Sequence, residues 1–103
     1  MVNIIIYLEQ TINAQHLVED LLKEQLFANV TIDKENVSYK IENGEIVTTI
    51  KTVITAQTKS LLFTQIDNFI KEKYGAHIPI YCIPITHAND SFDSLIRENT
   101  KKI

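Results

Sequence analysis

Three histidines, one cysteine and thirteen acidic residues are the side chains of this 103-residue sequence that are able to bind a metal ion. The histidines are His16, His77 and His87; no two of them lie three or four residues apart, and there is no CxxC or HxxxH pattern. His77 and His87 are the candidate ligands for a divalent ion such as copper or zinc. They flank opposite ends of one predicted strand, so only an interface between copies could bring them to a shared ion.

The single cysteine, Cys82, excludes an intrachain disulfide and favours a reducing, cytoplasmic location. It lies mid-strand between Tyr81 and Ile83, where a cysteine is usually a small buried hydrophobic residue. A reactive thiolate would need neighbouring positive charge. We therefore expect Cys82 to be buried and structural.

Four residues are predicted to line a ligand-binding cleft between subunits: Tyr39, Lys51, Tyr74 and His77. Lys51 is the only charged residue between Ile46 and Gln57, a segment that reads as a central strand. Its ammonium must therefore reach water, a carboxylate or an anionic ligand. Pairing with a carboxylate of a neighbouring subunit and recognition of a small anion both satisfy this requirement.

Motifs for catalysis and for nucleic-acid binding are absent from the sequence. There is no GxSxG and no glycine-rich phosphate loop, and Arg97, the only arginine, falls in the last predicted helix. The net charge is −3, with no basic stripe, and the predicted central strands carry only Tyr7 as an aromatic residue. The apolar N-terminal run is too short to cross a bilayer. These features predict neither an enzyme, nor a nucleic-acid partner, nor a membrane partner.

The hydrophobic pattern predicts one α+β domain over residues 1–103, with a polar tail at 98–103 that frays. The order is βαββαβ plus a short C-terminal helix: a ferredoxin-like antiparallel sheet with two helices on one face. In this topology the first and third strands are central. The strands are predicted at residues 2–9, 28–42, 45–57 and 80–86.

A long central hairpin is the most informative predicted feature. Asn43-Gly44 predicts a type I′ turn between its arms. The apolar positions change parity across residues 33–36, which predicts a bulge that resets the register. The arms are longer than the other strands, so the tip should overhang the core. Because an exposed β-branched overhang favours pairing with another chain, we expect a neighbouring subunit to cover it.

Several segments in order resemble the CutA (divalent-cation tolerance) family. These are the helix-to-strand segment 21–32, Ser38-Tyr39 before the hairpin turn, Ile50-Lys51-Thr52 after it, and Lys73-Tyr74 ahead of residues 80–87. Phe92 with Leu95-Ile96 occupies the place of the family's terminal aromatic pair. The sequence departs from the family at Tyr7 and Asn29, where cysteines are common, and at Glu72 and Lys73, which align with copper-binding histidines of some members.

The resemblance implies a homotrimer, structurally akin to PII signal proteins, with a role in copper or divalent-cation tolerance. The leading hypothesis is therefore a non-enzymatic, trimeric divalent-cation-binding protein. Two alternatives stay open: a PII-like sensor of a small anion or metabolite in the inter-subunit cleft, and a structural scaffold that binds no ligand.

Overall fold

The computed structural model describes residues 1–102, and Ile103 lies outside the described residues. The elements follow the predicted βαββαβα order, with a short 3₁₀ turn, Ser60–Leu62, ahead of the second helix. They are β1 Val2–Glu9, α1 Ala14–Lys23, β2 Asn29–Glu42, β3 Glu45–Thr58, α2 Phe63–Tyr74, β4 Ile80–Pro84 and α3 Asp90–Asn99.

The four strands form one antiparallel sheet in the order β2-β3-β1-β4. The first and third strands are central, as the sequence predicts, and β4 lies at an edge, where the missing N–H of Pro84 is tolerated. The predicted ferredoxin-like α+β architecture is confirmed.

The hydrophobic core lies on one face of the sheet. Alternate residues of β1, among them Ile4 and Ile6, pack with Ile54 of β3 against the apolar stripes of α1 and α2. All three side chains are fully buried, and each contributes roughly 1.5–3 kcal/mol through removal from water. The opposite face carries Tyr7, Lys51 and Val53.

Local signals set the geometry of the hairpin. Asn43 and Gly44 both have positive φ, 51° and 79°, as a type I′ turn requires. The register between β2 and β3 shifts between Asp33 and Asn36, which confirms the predicted bulge. Because of that shift, the apolar residues before and after the bulge lie on the same face of the sheet.

The end of the hairpin extends beyond the rest of the sheet. β1 stops pairing with β3 at Lys51, so residues 45–50 of β3 and their β2 partners have no third strand beside them. At about 3.3 Å per residue the overhang is about 20 Å long. The radius of gyration, 14.7 Å, and the longest extent, 46 Å, reflect it. A domain of this length normally has a radius of about 13 Å.

One feature differs from the sequence-based expectations. Cys82 is exposed, because the edge strand β4 has nothing over it at that position. The tail is held in place as far as residue 101: Thr100 is buried, and the Lys101 amide donates to the Gln25 carbonyl at 2.8 Å. Lys59 Nζ also donates to the Lys101 carbonyl at 2.7 Å. These hydrogen bonds hold Lys101 to the rest of the fold.

Within residues 1–102, no helix combines the length and the apolar character that a membrane-spanning segment needs.

Candidate functional site

A small cavity lies where the end of β1 meets the loop between α2 and β4. It has a volume of about 180 Å³ and is lined by Tyr7, Glu9, Tyr74 and His77, among others. Gly75 ends α2 with φ of 108°, and this backbone conformation lets the chain turn back toward the sheet. The Tyr7 amide donates to the Pro79 carbonyl at 3.1 Å, which fixes the loop against β1.

Glu9 on the cavity wall forms an ion pair with Lys51. The two residues are direct partners in the β1–β3 register, so their side chains project from the same face, opposite the core. The Lys51 side chain is only 22% exposed, whereas that of Glu9 is 65% exposed. The positive charge of Lys51, whose partner the sequence left open, is thus neutralised by a carboxylate of the same subunit.

Tyr74 ties the end of α2 to α1. Its hydroxyl donates to Asp20 Oδ2 at 3.0 Å and lies 3.3 Å from His16 Nδ1. Lys73 Nζ approaches the same carboxylate at 3.7 Å. The hydrogen bond from Tyr74, more than the nearby cations, lowers the pKa of Asp20, and burial together with Asp20 raises the pKa of Tyr74 to about 12. Tyr74 therefore stays protonated and acts as a hydrogen-bond donor over the physiological pH range.

Three of the four residues predicted for the cleft lie in this region. Tyr74 and His77 line the cavity, and Lys51 reaches it through Glu9. Tyr39 lies elsewhere in the subunit: it is on the overhang, opposite Thr48, on the face that continues the core side of the sheet. Its side chain is 67% exposed.

The two candidate metal ligands lie far apart along the chain of one subunit. His77 precedes β4 and shares its cavity with Glu9, whereas His87 follows β4 and lines a different cavity with Ile85 and Phe92. Among the described residues, no group of three or more His, Cys, Asp or Glu side chains converges on one point. In residues 1–102, the possible donors therefore come in pairs at most, such as Glu9 with His77 on one cavity wall and His16 with Asp20, 4.0 Å apart. Lys51 already neutralises Glu9.

The sequence did not indicate the roles of Glu9, Asp20 and Tyr7. Glu9 could have been found from the strand register, because pairing of Val2 with Thr58 places Glu9 opposite Lys51. Asp20 is one of several charged residues on the polar side of α1, and nothing local distinguishes it. The Tyr7 ring stacks on Tyr81 with centroids 6.3 Å apart, a contact that depends on the β1–β4 register.

The model of the CutA1 divalent ion tolerance protein family matches residues 2–99, nearly the whole chain. The chain belongs to the CutA1 family. The resemblance carried by the ordered motifs is thereby confirmed. Comparison with curated protein sequences finds no match.

Solved structures of CutA1 proteins share this fold. CutA1 from Pyrococcus horikoshii is 23% identical, with a TM-score of 0.85 over 99% of this chain and 100% of that one. The divalent cation tolerance protein from Thermus thermophilus is 24% identical, with a TM-score of 0.81 over 98% and 100%. The periplasmic divalent cation tolerance protein CutA from Archaeoglobus fulgidus is 25% identical, with a TM-score of 0.78 over 98% and 100%.

Proposed function

We propose that this CutA1 family member acts in divalent ion tolerance as a non-enzymatic homotrimer that binds a divalent cation, copper or zinc, between its subunits. The observation that carries the proposal is the uncovered hairpin overhang. Its core-side face is an apolar stripe, which we call the hairpin stripe. The hairpin stripe consists of Val37, Tyr39, Ile41, Ile46 and Ile50, all of them exposed.

Assembly follows from the chemistry of that stripe. The opposite face of the overhang is polar except for Val47 and includes a 2.8 Å ion pair between Lys40 and Glu42. A hairpin that is apolar on one face only is suited to lie against a surface of another molecule. Exposed sheet edges at β2 and β4 offer two different surfaces, so the contact between copies is head to tail. Head-to-tail contacts form rings where the rotation between copies closes, and the family resemblance supports a closed ring of three subunits.

The proposed cation site lies between subunits because one subunit offers too few metal-ligating side chains. Protein sites for zinc and copper commonly use three or more nitrogen, oxygen or sulfur ligands. Glu9 and His77 supply two in one cavity, and repetition around a ring would multiply them. His87 is a second candidate at the other end of β4. The protein names of the family and of its solved relatives support the choice of a divalent ion.

Two measurements test the proposal. Sedimentation equilibrium should give three times the subunit mass of 11.8 kDa. Titration calorimetry with copper or zinc should show saturable heat that a chelator abolishes. His77→Ala should remove the heat, or His87→Ala should do so if the second candidate is the ligand. His16→Ala is the matched control, because His16 lies on α1, outside both cavities. A monomer in sedimentation contradicts the assembly, and absence of heat at micromolar protein contradicts cation binding.

The alternatives predict different results in the same experiments. A PII-like anion sensor would show thermal stabilisation by small anions that a chelator leaves unchanged and that Lys51→Ala abolishes. The pairing of Lys51 with Glu9 in the same subunit gives this alternative less support at that position. A structural scaffold would form the trimer and show no stabilisation by any ligand.

The proposed location is the cytoplasm, where a free exposed thiol such as Cys82 persists. Cell fractionation with an antibody to the protein tests it, and recovery in another fraction would contradict it.

A further inference from the structure

A second cavity, separate from the one beside His77, lies where the β1–α1 loop meets the bulge in β2. Its volume is about 270 Å³. We refer to it as the bulge cavity. Its polar wall consists of Gln10, Asn13, Gln15, Lys34 and Thr52. It contains a lysine and no carboxylate, in a chain whose acidic residues outnumber its basic ones.

Thr52 is the unusual residue of this wall. It is 5% exposed, and, unlike the other buried threonines, it forms no hydrogen bond from its hydroxyl to a backbone carbonyl among residues 1–102. The two other buried threonines both donate to backbone carbonyls, Thr58 to Leu26 and Thr100 to Ile96. Every fully enclosed polar side-chain atom in this part of the chain has a hydrogen-bond partner. The Thr52 hydroxyl is therefore not fully enclosed, and it opens onto the cavity that Thr52 lines. A nearly buried, unpaired hydroxyl indicates a site where a ligand or water supplies the missing bond.

The bulge leaves Thr52 without a paired residue on β2, although it pairs with Leu8 on β1. Asp33 pairs with Val53 and Asn36 pairs with Lys51, so Lys34 and Glu35 pass Thr52 without regular pairing. Gln10 Nε2 donates to the Lys34 carbonyl at 3.2 Å and fastens the bulge to the β1–α1 loop. The cavity is therefore a feature of the folded backbone.

The start of α1 adds donors to the same wall. Asn13 caps the helix by accepting from the His16 amide at 3.0 Å, which leaves the amides of Ala14 and Gln15 without intrahelical acceptors. Both residues line the cavity. The first turn contains no acidic residue, so no side chain neutralises the positive end of the helix dipole.

We propose that the bulge cavity binds a small oxyanion, a phosphate or a carboxylate group. The amides of Ala14 and Gln15, the Lys34 ammonium and the Thr52 hydroxyl are the donors. The volume admits an inorganic anion or a short-chain acid. The site lies within one subunit. Its donors are not the proposed cation ligands Glu9, His77 and His87, although the two cavities share Ile12 in their walls.

Titration of ¹⁵N-labelled wild-type protein with inorganic phosphate, and separately with malonate, tests the proposal by NMR at constant ionic strength. The expected result is a saturable shift of the Ala14 and Gln15 amide signals with at least one of the two anions, with a dissociation constant in the millimolar range. The anion that binds more tightly identifies the oxyanion. Shifts that do not saturate, or no shift with either anion, would overturn the proposal and leave water as the occupant.

Variants assign the donors. Lys34→Gln should weaken binding about tenfold, since a charge-assisted hydrogen bond is lost. Thr52→Val should weaken binding while the melting temperature without anion stays the same or rises, because an unpaired hydroxyl is removed. Thr52→Ser should retain binding. Lys40→Gln, on the same strand but outside the cavity, is the matched control. Equal weakening by Lys40→Gln would indicate non-specific attraction and overturn the proposal, and so would full binding by Thr52→Val.

Discussion

The exposed cross-strand pair Ile41 and Ile46 gives the sharpest test of assembly through the hairpin stripe. The two side chains are 74% and 77% exposed in the subunit and lie directly opposite each other in the register. Replacing both with threonine keeps β-branched residues in the strands and removes the apolar surface. Because neither side chain packs in the subunit core, the subunit should lose no more than about 0.5 kcal/mol of folding stability.

The assembly should lose much more. Burying an isoleucine is worth about 1.5–3 kcal/mol, and threonine recovers part of this value. The two substitutions together should therefore cost roughly 3 kcal/mol for each contact between copies. A loss of this size weakens each contact about 150-fold. The double variant should dissociate at concentrations where the wild-type protein remains assembled.

Sedimentation velocity over a hundredfold dilution series, combined with circular dichroism, measures both quantities. The expected result is a subunit-sized species with the wild-type far-ultraviolet spectrum. Val47→Thr is the matched control, since Val47 lies on the opposite face of the same overhang. Unchanged assembly of the double variant would refute assembly through the hairpin stripe. An equal effect of Val47→Thr would refute the assignment of the contact to this face.

The remaining predictions concern the subunit itself. The pKa of Tyr74 is raised to about 12 from an unfolded value of about 10, so its contribution to stability is complete below pH 10 and is lost as the pH rises toward 12. In Tyr74→Phe, the denaturant midpoint of unfolding should therefore fall less steeply between pH 10 and pH 12 than in the wild-type protein. The same pH dependence in both proteins would contradict the Asp20 contact. Ile54→Ala should destabilise the fold by about 3 kcal/mol in urea unfolding, because the side chain is fully buried; a loss below about 1 kcal/mol would argue against this packing. Cys82 should react readily with a thiol reagent without denaturant, and protection that persists in the hairpin double variant would contradict its exposure in the subunit.

Short-range patterns in the sequence determined most of the architecture. The change in parity across residues 33–36 predicted the bulge, because side chains of a strand alternate with period two and both apolar sets must lie on the same face of the sheet. Asn43-Gly44 predicted the turn, because both positions need positive φ. The order of strands and helices followed from the periods of the apolar residues and from the few ways in which such elements pack. The ordered motifs also sufficed to indicate the family.

Contacts between distant segments were decided only by the tertiary structure. The partner of Lys51 depends on the β1–β3 register, and Asp20 is selected by the approach of α2 to α1. Cys82 lies in an apolar strand segment yet is exposed. The sequence of a strand does not show whether another element packs over it in the folded protein. The bulge itself was predictable, whereas the unpaired Thr52 hydroxyl was not. Local propensity acts within a few residues, while burial and pairing are set by which surfaces the whole chain brings together.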